Sequence, residues 1–239
     1  MTKKISFIPG PYKTQGEEFL EIPKPAKNYI PKWYKKEKFF AIEDSDTLNS
    51  VNHMTVKACV PFLDTLISGY MIELHQDIFV SKKNGSTEIK WRSGPDPLVL
   101  RMSADGVKFF DSALPTPIGC SDDHWAWKLY FGIKVPVGYS VLVTHPINRY
   151  DLPFISSSGI MDEFTPFFGQ FSFWLKDGFE GIIPKGTPIA QLFPFKRDDW
   201  KSEIRKDLTD SLAFHLHEKL RTIGVGYYKK TFHRKKSYK

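Results

Sequence analysis

Several groups of residues in this chain have types and spacings that suit chemistry. His75 and Asp77 stand two apart, so a strand would turn both side chains to one face. With His145 they make the two-imidazole, one-carboxylate set that suits non-haem Fe(II). The HxD pattern is short, and ordinary polar positions produce it as well. Asp162, in "GIMDEF", reads as a general base or sugar-binding carboxylate, or as a loop-closing residue that joins Gly159 through Asx-turn hydrogen bonds. His145, Asn148, Arg149 and Asp151 crowd the phrase "THPINRYD". The Arg149 guanidinium offers a planar fork to a phosphate or carboxylate; the other reading is a clamp between Arg149 and Asp151 that fixes the loop. Ser156, Ser157 and Ser158 lack the glycine pattern of a nucleophile elbow, so hydrolase chemistry is not expected there. His215 and His217 stand two apart on a helical stretch, face different sides and form no ligand pair. Apart from the iron that His75, Asp77 and His145 would need, no cofactor is expected.

A different chemistry gathers at the C-terminus. The last eleven residues, "KKTFHRKKSYK", hold six Lys/Arg and no acid, so six of the seven net positive charges lie there. Tyr227 and Tyr228 lead into Lys229, Lys230, Arg234, Lys235, Lys236 and Lys239. Aromatic rings beside cations stack on bases and neutralise phosphates, so the tail is a candidate contact for nucleic acid. A basic strap on an acidic partner protein fits the same residues.

The elements that must position these groups read as mostly β. Apolar residues make up 41% of the 239, and 17 Pro and 16 Gly punctuate short apolar runs. That composition supports a packed core with many turns. "YMIELHQDIFVSKKNGSTEIKW" predicts a hairpin around Asn84-Gly85. Strands are expected over Lys128–Val135, Tyr139–Thr144 and Gln170–Leu175, and "KGTPIAQLFPF" reads as a closing strand with Ile189 and Leu192 buried and Gln191 satisfying backbone groups. A helix is predicted over 53–69 from Val56, Val60, Leu63 and Ile67. A second, amphipathic helix is predicted over 197–224, with Trp200, Ile204, Leu208 and Leu212 buried on one side and Leu216 and Leu220 continuing the recurrence. The two cysteines, Cys59 and Cys120, form no CxxC and suggest neither a zinc ribbon nor a disulfide framework. No apolar run approaches the ~20 residues of a membrane span, so no membrane association is expected.

Four phrases carry a resemblance: "KACVPFLDTLISGY", "VPVGYSVLVTHPINRYDLPF", "SGIMD" and "GTPIAQLFPFKRDDW". They resemble an uncharacterised family of proteins of tailed bacteriophages and some bacteria, over roughly residues 55 to 200. That resemblance implies an origin in phage biology and a place in the host cytoplasm or virion; it implies no activity. The order of "PVGYSVLV", "GIMD" and "KGTPIAQL" also resembles, distantly, the β-clip fold of dUTPase and dCTP deaminase. In that resemblance Asp162 falls at the position of the Asp that orients water and sugar. The phosphate loop is replaced by "HPINRYDLP", and "EFTPFFG" displaces the stacking Tyr, which departs from the nucleotide chemistry.

The expected fold is therefore α+β and β-dominated, a β-clip-like sandwich or barrel. Its expected parts are an extended Pro-rich arm (1–50), a β-rich body with a leading helix (51–196), the C-terminal helix (197–224) and a basic aromatic tail (225–239). The leading functional expectation is a non-catalytic phage-type binding or assembly protein with a protein partner or a second copy of itself. A β-clip nucleotide-metabolism enzyme using Asp162 and Arg149 is the alternative, and an iron oxygenase using His75, Asp77 and His145 a further one.

Overall fold

The computed structural model describes residues 3–10, 13–14, 17–18, 22–41, 54–92, 99–104, 107–108, 114–164, 169–206, 214–219 and 226–238. The chain divides into two compact units: a body of Met1–Ala26 and Gly69–Arg197, and a second unit of Lys27–Ser68 and Asp198–Lys239.

The body is built of antiparallel strands, as its short β-branched and aromatic runs between Pro/Gly turns require. In chain order the strands of its four larger sheets are β1 (Ser6–Pro9), β2 (Lys24–Pro25), β3 (Tyr70–Glu73), β4 (Ile78–Lys83), β5 (Ser86–Trp91), β6 (Val99–Arg101), β7 (Cys120–Lys128), β8 (Phe131–Lys134), β9 (Tyr139–Thr144), β10 (Phe154–Ser156), β11 (Gly159–Met161), β12 (Glu163–Phe164), β13 (Gln170–Lys176), β14 (Gly181–Ile183) and β15 (Pro188–Lys196). A five-stranded sheet runs β11-β9-β15-β3-β2, and a four-stranded sheet β10-β13-β7-β6. Two three-stranded sheets run β1-β8-β12 and β14-β4-β5. None of these sheets closes on itself among the described strands. All four sheets send side chains into one core, which joins Val141 and Leu192 to Trp127 and Phe173, to Ile133, and to Ile78.

The Asn84-Gly85 hairpin forms as predicted. Both residues take positive φ, 51° and 80°, the backbone a two-residue turn between twisted strands demands. β15 buries Ile189 and Leu192, but it does not close the sheet. It lies within it, with Leu192 opposite Val143 of β9 on one side and opposite Tyr70 of β3 on the other. Gly69, which enters β3, is obligatory. Its φ is +75°, and a Cβ there would stand 2.0 Å from the Leu192 carbonyl oxygen. The strand expected over Lys128–Val135 is broken at Leu129 and Tyr130, and β7 and β8 on either side of the break belong to different sheets.

The second unit carries the helices. In α1 (Lys32–Lys36) Pro31 sits at the N-cap, where a missing N–H costs nothing; the expected extended arm is thus helical here. α2 (Val60–Ile67) has Pro61 in its first turn. It is shorter than the expected helix, with Val56–Ala58 a separate 3-10 turn, and its buried residue is Leu66. Residues 214–219 form α3, and α4 (Tyr227–Thr231) follows. The helix expected from Asp198 does not start there. Residues 197–205 are not helical, and Trp200 and Ile204 are 89% and 86% exposed. Within the span expected to be helical, the described α-helical residues are 214–219. Leu208, Leu212 and Leu220 lie outside the described residues. No helix among the described residues is long and apolar enough to cross a membrane.

Candidate functional site

The polar residues of "THPINRYD" converge just past the end of β9. The chain turns there through Asn148, at φ 60°, a left-handed conformation that Asn tolerates better than most residues. The Arg149 N–H closes the turn on the Pro146 carbonyl at 3.1 Å. Arg149 is buried and makes a two-bond fork to Asp151, Nε to Oδ1 at 2.8 Å and Nη2 to Oδ2 at 2.9 Å. Of the two readings of this loop, the geometry is that of the clamp: the guanidinium holds a carboxylate of its own chain. Gln191 reaches the same loop from β15. It is fully buried, and its Oε1 accepts the Ile147 N–H at 2.9 Å.

His145 is fixed by backbone. Its Nδ1 accepts the Ser156 N–H at 3.2 Å, which leaves the proton on Nε2, facing the Arg149 carbonyl at 3.3 Å. Burial pushes the imidazole below its usual pKa, so the ring is neutral near pH 7. Ser156 is the partner that sequence reasoning missed. Its hydroxyl donates to the Ile189 carbonyl at 2.8 Å and accepts the Trp127 indole N–H at 3.1 Å, tying the two larger sheets together. The Ser156 hydroxyl is thus engaged away from His145, and the pair makes no activated nucleophile. The signal in the sequence was only a small polar residue between Phe154 and Ile155 and two more serines.

Asp162 belongs to a different assembly, at the start of β9. The Ser140 hydroxyl donates to Asp162 Oδ1 at 2.5 Å and accepts Arg197 Nε at 2.7 Å, while Arg197 Nη2 lies 3.4 Å from the same carboxylate. The Ser140 hydrogen bond, then the Arg197 charge, hold the exposed Asp162 carboxyl below its usual range. Such a group is a weak base at neutral pH. Ser140 and Thr144 are the second and last residues of β9, about 13 Å apart at strand rise. Asp162 and Arg149 therefore serve opposite ends of one strand.

An open cleft of about 530 Å³ lies beside the Arg149 loop, lined by Arg149, Leu152, Phe179, Ile182, Pro184 and Lys185 among others. Asp77 accepts the Lys185 backbone N–H at 2.7 Å. His75 packs edge-on against Tyr130, ring centres 5.8 Å apart. Burial, then the Lys185 charge, lowers the His75 pKa to about 4. Among the described residues no three His, Cys, Asp or Glu side chains are grouped to share a metal ion, so His75, Asp77 and His145 are not brought together. Each is committed to a backbone or ring contact of its own.

The basic tail begins in α4 with Tyr227 buried, while Tyr228, Lys229, Lys230, Arg234, Lys235 and Lys236 are exposed. Lys239 lies outside the described residues. His233 fastens the tail within the second unit, its Nε2 standing 2.9 and 3.1 Å from the Asp64 carboxylate of α2. Sequence reasoning missed this anchor, since the partners are 169 residues apart. No protein-family model matches the chain, and no curated protein matches it either.

Proposed function

We propose that this protein works by contact and not by chemistry. In this reading it is a binding or assembly component of phage type, a virion part or a factor on viral or host complexes, with a β-clip-like body as its scaffold. The observation that carries the reading is the segment after β15. It leaves the sheet without helical structure and holds Trp200 and Ile204 out to solvent at 89% and 86% exposure. A lone chain gains nothing from exposing an indole there. The two residues are four apart, so coiling onto a partner would bring both to one helix face, the usual geometry of a helix in a groove. Ordering on contact is the common use of such segments.

The alternative, a nucleotide enzyme using Asp162 and Arg149, has less support: the two residues belong to separate hydrogen-bonded assemblies, and Arg149 is already paired.

A second copy of this chain is the partner the proposal commits to. Sedimentation velocity over a wide concentration range tests it. Self-association is expected, and the Trp200→Ser, Ile204→Ser double variant should remain monomeric with unchanged thermal stability. A wild-type chain that stays monomeric at every concentration overturns it.

A further inference from the structure

We propose that the second unit binds single-stranded nucleic acid through two basic, aromatic elements, α1 and the tail. The tail alone was the sequence expectation; the structure adds a second basic, aromatic element in the same unit and shows how both are held.

Charge is the first observation. The second unit has 17 Lys and Arg against 11 Asp and Glu, leaving +6, whereas the body has 17 against 16, leaving +1 of the total +7. What the cations do is the second. On α1, Pro31 and Tyr34 point inward and are buried, which leaves Lys32, Lys35 and Lys36 exposed around Trp33. In the tail Lys229, Lys230, Arg234, Lys235 and Lys236 are exposed as well. Among the described residues no carboxylate pairs with any of these eight. Several body cations are paired instead: Lys24 meets Glu73, Lys90 meets Glu88, and Arg149 meets Asp151.

Both elements are fastened to α2. Tyr34 stacks on Phe62 with ring centres 5.9 Å apart, and Trp33 meets the same ring edge-on at 6.2 Å. Lys57 Nζ donates to the Tyr34 carbonyl at 2.8 Å. The tail is held by His233 on Asp64 and by buried Tyr227. The cations are thus presented on fixed backbone, which lowers the entropy lost on binding.

Aromatic exposure selects the ligand. Trp33, Tyr228 and Phe232 are 38%, 44% and 49% exposed, each next to cations. Unpaired bases stack on such rings while phosphates meet the lysines. A duplex hides its base faces and could use only the charge. An anionic membrane wants one continuous apolar helix face, and here that face of α1 is turned inward.

Fluorescence anisotropy of the full-length chain with a labelled single-stranded oligonucleotide tests the proposal, with DNA and RNA strands in parallel arms. A duplex of equal length and vesicles containing phosphatidylserine serve as competitors. Binding is expected to fall with salt. Substituting Lys32, Lys35 and Lys36 by Ala should reduce the log–log salt slope by about 2, and substituting the five tail cations by about 3.5, at roughly 0.7 per phosphate contact on a single strand. Trp33→Ala should weaken binding about tenfold through lost stacking. Circular dichroism melts of each variant report whether it folds, and Lys→Gln at the same positions replaces any that does not. A triple α1 variant that folds and binds with the wild-type slope overturns the two-part site. So does equal affinity for the duplex, or binding that vesicles compete away and oligonucleotides do not.

Discussion

In the body, Trp127 is fully buried, stacks on Phe173 with ring centres 3.7 Å apart, and gives its indole proton to Ser156. In the second unit, Trp200 stands 89% exposed and Trp33 is 38% exposed beside lysines. Some charged residues show the same contrast. Arg149 is forked onto Asp151 and Arg197 reaches Asp162, while the cations of α1 and the tail have no carboxylate among the described residues. Identical residue types are committed to the fold in one region and left to face outward in the other. In the proposed reading, the exposed indoles of the second unit and the cations of α1 and the tail are where the molecule meets something else.

Substitutions can break this contrast. The largest effect is expected from Trp127→Ala, which empties a fully buried site and orphans the Ser156 bond; it should cost about 4 kcal/mol of unfolding free energy in denaturant titrations. A cost near zero would mean that the body is not the scaffold.

Acid should act on the body next. The His75 pKa is depressed from 6.5 to about 4, so the unfolded chain takes up a proton before the folded one does. Stability from this group is complete above about pH 6.5 and is lost as pH falls toward 4, by up to about 3 kcal/mol. His145 and His124, also lowered by burial, act with the same sign. Denaturant melts across that range should show the loss, and His75→Gln should flatten it. A melt indifferent to pH in the wild type would contradict the buried, neutral imidazole.

Gln191→Leu should cost about 2 kcal/mol, since the Ile147 N–H loses its acceptor in a part-buried place. Trp200→Ala is expected at the small end, within about 0.5 kcal/mol of wild type, as for other exposed sites. A large loss there would show that the indole is part of the fold and dissolve the contrast.

Much of the body was legible in the sequence because its signals are local. Asn84-Gly85 dictates a turn whatever surrounds it, and Arg149 and Asp151 are close enough to find each other within one loop. Gln191 in an apolar run announced a buried amide with a partner to meet. The centrality of β15 was not legible, because it depends on β9 and β3, dozens of residues away in sequence. The same holds for the His145–Ser156 and His233–Asp64 contacts. The helix expected from Asp198 had good start signals, yet residues 197–205 are not helical while 214–219 within the same span are, and no local signal in the sequence separates the two stretches.

The claim that the protein acts by contact is tested most directly by asking for chemistry. Purified chain is incubated with dUTP, dCTP and the other nucleoside triphosphates in magnesium, and product is followed by chromatography. The account predicts no turnover, because Asp162 and Arg149 serve separate assemblies. Turnover that disappears in Asp162→Asn, in a variant that still folds, would contradict it.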